Sequence, residues 1–274
     1  MALVGMPGAY GQESLDEQLR QPVNRELINR QRDVADQLLR LGDRQVEQGD
    51  YASALRAWSR AADIYFEIGD AASLEQVYGD IARAYVDQGN YSDAEVAVRR
   101  QLAIARDNQS FSTQIFAWNS LGTLRLQQGE LASATYAYEE ALAVAYSIED
   151  AEGIGLSLSN LGLLASIRED YNAAIDYYEA AGNYRIRAGN IVGRANTSNN
   201  LGDAYFAQGQ SGRAIGAYRL ALSYGREAKT VAAQLHAIDG LIDVYSDRSD
   251  CVQGRYYLDE RIALTLDGGS DWGR

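Results

Sequence analysis

His236 is the single histidine of the 274-residue chain, and Asp239 and Asp243 follow it at i+3 and i+7. On a helix this spacing puts one imidazole and two carboxylates on one face, the donor types that a divalent cation takes. One helix face seldom converges enough ligands on a hard cation, so no metal and no cofactor is expected. A Ser-His-Asp arrangement would have to recruit the same His236 to a serine, and no nucleophile elbow is present. The glycine-bearing stretch GIGLSLSNLG, 153–162, follows a helical pattern rather than a strand, so it does not read as a phosphate loop. Cys251 is the only cysteine, which excludes an internal disulfide and zinc sites of the four-cysteine or two-cysteine, two-histidine type. Its position, shared with Tyr51, Tyr91 and Tyr171 in the repeat described next, predicts a core filler. The expectation is a chain without catalytic chemistry.

The elements that must position these side chains repeat. A Leu-Gly glycine stands at Gly42, Gly122, Gly162 and Gly202, with Ala82 and Ile242 in the two remaining slots of a 40-residue period. A second column reads Gly49, Gly89, Gly129, Glu169, Gly209 and Ser249, and a third reads Ala54, Ala94, Ala134, Ala174, Ala214 and Gly254. A fourth reads Trp58, Val98, Tyr138, Tyr178, Tyr218 and Leu258. Four columns in one register, with no insertion between them, define structural repeats. Within each unit the apolar residues recur at helical spacing, as Leu201, Ala204 and Tyr205 do, and then Ala214, Ala217, Tyr218 and Ala221. Between them Gly209 sits where a helix C-terminus wants a left-handed residue. Each unit therefore reads as a helix, a tight turn and a second helix. Glycine in mid-helix costs about 1 kcal/mol relative to alanine. Its recurrence predicts close approach of the two helices within a unit, with the bulky fourth column filling the groove toward the next.

The stretch WNSLGTLRLQQGELASATYAYEEALAVA, Trp118 to Ala145, resembles a tetratricopeptide repeat, with Trp118, Leu121, Gly122, Ala134, Tyr138 and Ala141 at that motif's signature positions. The 40-residue period and the NLG…QG…A wording resemble the longer-repeat subclass of kinesin light chains and LGN-type adaptors. The resemblance covers about residues 26 to 265 and implies an all-α, right-handed superhelical solenoid of about six helix-turn-helix units. In it the first helix of each pair would line a concave groove. The expected organisation is a flexible leader over 1–25, six repeats over 26–265 and a disordered tail over 266–274. The leader MALVGMPGAYGQ reads either as that or as the remnant of an export signal, so the compartment expected is cytoplasmic, with export as the alternative.

Taking the Leu-Gly pair as packed inward, the opposite stripe of each first helix becomes the candidate peptide-binding surface: Arg83, Asn119, Asn160, Asn196, Asn199, Asn200, Asp203 and Asp243. Asparagine forms helices poorly, yet three fall within five residues. Each amide both donates and accepts, so a ladder of them would grip a peptide backbone; the resemblance implies that role for Asn160 and Asn200. Leu156, Leu163 and Ile167 would form an apolar patch beside them, and Asp203, Asp239, Asp243 and Asp247 an acidic end. The net charge of −13 argues against nucleic acid or an anionic membrane as partner and suits a basic peptide. No apolar run reaches the ~20 residues that span a bilayer. The expected function is a non-catalytic interaction scaffold that binds a partner peptide. The alternative is a regulatory peptide sensor whose curvature changes on binding.

Overall fold

The computed structural model describes the backbone of residues 15–269 and the side chains of residues 25–266. All regular structure among them is α-helical. The helices are α1 (Leu15–Glu47), α2 (Tyr51–Ile68), α3 (Ala71–Asp87), α4 (Tyr91–Asp107), α5 (Phe111–Gln127) and α6 (Leu131–Ser147). They continue with α7 (Ala151–Ile167), α8 (Tyr171–Arg187), α9 (Ile191–Ala207), α10 (Ser211–Glu227), α11 (Val231–Asp247) and α12 (Cys251–Gly269). Helix α1 begins at Leu15, so residues 15–25 are helical where a leader was expected, and α12 runs into the segment expected as tail. Residues 1–14 and 270–274, with the export-signal reading, lie outside the described residues.

The period of 40 is built from a shorter one of 20. A residue with positive φ ends a helix at Gly49, Gly69, Gly89, Gln109, Gly129, Glu149, Glu169, Gly189, Gly209, Lys229 and Ser249. Each turns the chain by the same device. At Gly209, for example, Gly209 N bonds Phe206 O at 2.8 Å and Gln210 N bonds Tyr205 O at 2.8 Å, closing the helix end. The residue after the turn caps the next helix. Asp50, Asp70, Asp150, Asp170 and Asn190 each accept a backbone N–H of the first turn on the side chain, meeting donors that the helix itself leaves unpaired.

Contacts divide the chain into two compact units, residues 1–97 and 98–274. In the first, α2 packs on α1 and α3. Trp58 fills the space beside Gly42, where a Cβ would stand 2.3 Å from the indole nitrogen. In the second unit, α5 pairs with α6, α7 with α8, α9 with α10 and α11 with α12, and each second helix packs on the first helix of the next pair.

The glycine column has a steric role. A Cβ on Gly122, Gly162 or Gly202 would lie 2.5–2.6 Å from the ring of Tyr138, Tyr178 or Tyr218, sixteen residues on. The expected contact within a unit is present, but it is a ring laid on bare backbone rather than two backbones in touch. Tyr218 also lies against Gly240 of the following pair, where a Cβ would meet it at 2.4 Å. These tyrosines are almost wholly buried, and burial pushes the Tyr178 hydroxyl up to about 12.

The glycines of 153–162 also have a packing partner. Arg185 of α8 is buried and runs against Gly155 and Gly193, and it pairs with Glu152 of α7, which also accepts from Asn190 at 2.7 Å. Two residues without side chains make room for this arginine.

Candidate interaction surface

The first helices of the second unit lean on one another, α5 on α7, α7 on α9 and α9 on α11. Polar side chains stitch them together. Asn119 Nδ2 donates to Ser157 Oγ at 3.0 Å and to Ile115 O at 2.9 Å, while Asn160 Nδ2 donates to Asn119 Oδ1 at 2.8 Å. Ser159 and Thr197 hydroxyls meet at 3.1 Å, and Asn199 Nδ2 donates to Ala233 O at 3.0 Å.

Asn119 and Asn199 are therefore corrected. The sequence placed them on the open face, but they are 4% and 1% exposed, beneath neighbouring helices. The reason is the helical phase of the tight contact. Asn119 and Asn199 sit three residues before Gly122 and Gly202, one turn along the packed side, and the open stripe lies beyond it. Asn160 and Asn200 are half-buried at the border, and Asn196, Asp203 and Asp243 are exposed. The uncovered stripe in the second unit thus holds Phe116 and Thr123 on α5, Leu163 and Ile167 on α7, Asn196 and Asp203 on α9, and His236 and Asp243 on α11.

Arg83 belongs to the first unit. It is exposed, 3.4 Å from Asp80, and lines a hollow of about 330 Å³ with Asp43, Asp80, Asp87 and Trp58.

Asp203 is both exposed and engaged. It accepts from the Tyr218 hydroxyl at 2.7 Å and lies 3.0 Å from His236 Nε2. The Asp203 hydrogen bond holds His236 above the usual imidazole range, against the opposing effect of burial. Burial, with the same bond to Asp203, pushes the Tyr218 hydroxyl well above the ordinary phenol range. The position fifteen residues before the ring takes this role in two further pairs, since Trp58 Nε1 donates to Asp43 Oδ1 at 3.2 Å and Tyr138 and Thr123 hydroxyls meet at 3.1 Å, whereas before Tyr178 it is Leu163 and the tyrosine hydroxyl meets Ser166 Oγ at 3.4 Å. Asp239 is drawn off to Arg261 of α12, which leaves His236, Asp239 and Asp243 without a common focus.

Cys251 is also corrected. It is exposed at the start of α12, whereas Tyr51, Tyr91 and Tyr171, which open their helices in the same column with longer side chains, are half-covered. A feature missed in the sequence lies on the far side of α5. Trp118, Leu121 and Arg125 join Arg99, Arg106 and Tyr136 around a hollow of about 550 Å³. The seven-residue spacing of Arg99 and Arg106 was its one visible sign.

No family model and no curated protein sequence matches the chain. Solved structures do. BtubC (BKLC) from P. vanneervenii superposes with a TM-score of 0.65 at 18% identity, covering 88% of this chain and 92% of that one. A putative kinesin light chain of TPR-like repeats from Podospora anserina gives 0.57 at 16% identity, covering 71% and 96%. Aspartyl phosphate phosphatase F from Bacillus subtilis gives 0.69 at 13%, covering 93% and 76%. With the helix pairs and the 40-residue period, these define the fold as a tetratricopeptide-repeat solenoid, all-α, of about six helix-turn-helix units.

Proposed function

We propose that the chain is a non-catalytic scaffold that holds a peptide segment of a partner protein against the first-helix stripe of its second unit. The observation that carries this reading is the graded character of that stripe. Phe116, Leu163 and Ile167 are apolar and 38–50% exposed. Farther along stand Asn196, Asn200, Asp203 and Asp243. A segment with an apolar anchor at one end and lysine or arginine at the other complements that order. The buried ladder of Asn119, Ser157 and Asn199 supports the reading in a different way from that first expected. It fixes the spacing of the helices, so the surface is ordered before binding and less is lost on association.

The test is a peptide array that varies anchor and charge independently, followed by calorimetry on the tightest member. Leu163→Glu and, separately, Asn200→Ala with Asp243→Asn are each expected to cost 1–2 kcal/mol of binding, about five- to thirty-fold, with the melting temperature kept. An array without a saturable member, or unchanged affinity in Leu163→Glu, would overturn the proposal.

A further inference from the structure

Helix α5 has a second side that borders a hollow. Trp118, Leu121 and Arg125 project about half a turn away from Phe116, Thr123 and Gln127, into the channel between α4 and α6. There they form the hollow of about 550 Å³, with Arg99 and Arg106 from α4 and Tyr136 from α6. Its floor is apolar and buried, made by Leu102, Trp118, Leu121 and Ala137. Tyr136 forms one wall, 57% exposed, its ring edge-on to Trp118 at 5.9 Å. The Arg106 guanidinium lies 4.9 Å from the centre of the Trp118 ring. Arg125 also meets Glu130 at 2.8 Å. Arg99, Arg106 and Arg125 bring three guanidiniums to the hollow, Arg99 and Arg125 with partners of their own, on a chain whose net charge is −13. The size falls in the range of ligand sites, and a guanidinium beside an aromatic face is well suited to hold a carboxylate in a fixed plane.

The spacing narrows the occupant. Arg99 and Arg106 are seven residues apart on one helix, about 10 Å along its axis. In a polyproline-II stretch, side chains three residues apart share one side and stand about 9 Å apart. Two acidic side chains of an extended segment match that axial spacing, one for each arginine. We propose that this hollow is a second docking site, distinct from the first-helix stripe, for an extended acidic segment of a partner protein. Its carboxylates, three residues apart, meet Arg99 and Arg106, and an aromatic side chain between them rests against Tyr136 over the apolar floor.

The probe is an acetylated, amidated heptapeptide with glutamate at its first, fourth and seventh positions and tyrosine and proline between them. It is titrated calorimetrically into the full chain at low salt. Saturable binding is expected, weakened at least tenfold by Arg99→Glu with Arg106→Glu and several-fold by Tyr136→Ala, and weakened by added salt. The lysine version of the peptide should not bind. Asp243→Asn with Leu163→Glu should leave the affinity within twofold, which separates this site from the one under Proposed function. Circular dichroism checks that the variants fold, and Arg106→Gln serves as the milder change. The proposal is overturned if the peptide does not bind, if inorganic phosphate alone binds as tightly, or if the arginine variants bind like the parent. It is also overturned if the chain self-associates through this hollow, as an Arg99→Glu-sensitive change in sedimentation would reveal, since the occupant would then be a second copy.

Discussion

At the scale of single residues, glycine has opposite effects at different places in this chain. Gly162→Ala would drive a methyl to 2.6 Å from the Tyr178 ring; overpacking of this kind costs about 1–3 kcal/mol. Chemical denaturation should show that loss, and pairing the change with Tyr178→Leu should recover part of it. Gly216 lies in α10 with nothing within 4 Å of a built Cβ. There the same substitution should stabilise by about 1 kcal/mol, because only helix propensity changes. Equal effects at the two sites would remove the ring-on-backbone account. The Leu-Gly column and its small character were legible in the sequence because glycine in a helix is a visible cost. What each glycine faces was not legible, since the ring stands sixteen residues away on another helix. The asparagines show the same boundary. Their number announced a polar role, but the choice between Asn119 beneath a helix and Asn196 in solvent turns on a rotation that the letters leave open.

At the scale of elements, the turn is the repeating object, and its chemistry is not uniform. Six of the left-handed positions are glycine, but Gln109, Glu149, Glu169, Lys229 and Ser249 carry side chains at φ of 54–60°. A non-glycine residue in that region costs about 1–2 kcal/mol. Glu169→Gly is therefore expected to raise stability by about 1 kcal/mol and Gly129→Ala to lower it by a similar amount; a thermal melt of each would check the pair. If Glu169→Gly is neutral or harmful, the strain is relieved locally by something other than backbone freedom. The column of Gly49, Gly89, Gly129, Glu169, Gly209 and Ser249 marked six of these eleven turns from the sequence alone. The other five, at Gly69, Gln109, Glu149, Gly189 and Lys229, mix glycine with long polar residues and so carried no single-letter signature. The caps that follow them, Asp70, Asp150 and Asn190 among them, vary in letter and stand out only once the turns are placed.

At the scale of the molecule, folding is coupled to pH through one histidine. His236 links α11 to Asp203 of α9, and its affinity for the proton is raised in the folded chain, chiefly by the hydrogen bond it donates to Asp203. In the unfolded chain it titrates near about 6.5. The stabilisation from this pair is thus complete below that pH and fades as pH climbs through the higher folded value. Unfolding free energy should fall from pH 6 to pH 8.5 more steeply in the parent than in His236→Gln, with the difference between the two isolating this group. Being the single histidine, His236 also gives one imidazole signal by proton NMR, expected to titrate above 6.5 and to move down in Asp203→Asn. A midpoint at or below 6.5 would contradict the linkage. Charge balance, helix content and period were available from the sequence at this scale. The division at residues 97 and 98 was not, since the four columns run across it in unbroken register.

The ring seated on bare backbone makes two distant letters one heritable trait. Gly42, Gly122, Gly162 and Gly202 are each followed sixteen places later by Trp58, Tyr138, Tyr178 or Tyr218, whereas Ala82 and Ile242 are followed by Val98 and Leu258. Neither letter of a pair can drift far before the other, because a methyl arriving first collides with the ring and a ring lost first leaves a hole. Anyone grafting a unit of this chain into another array would have to carry both letters together, as a matched lock and key.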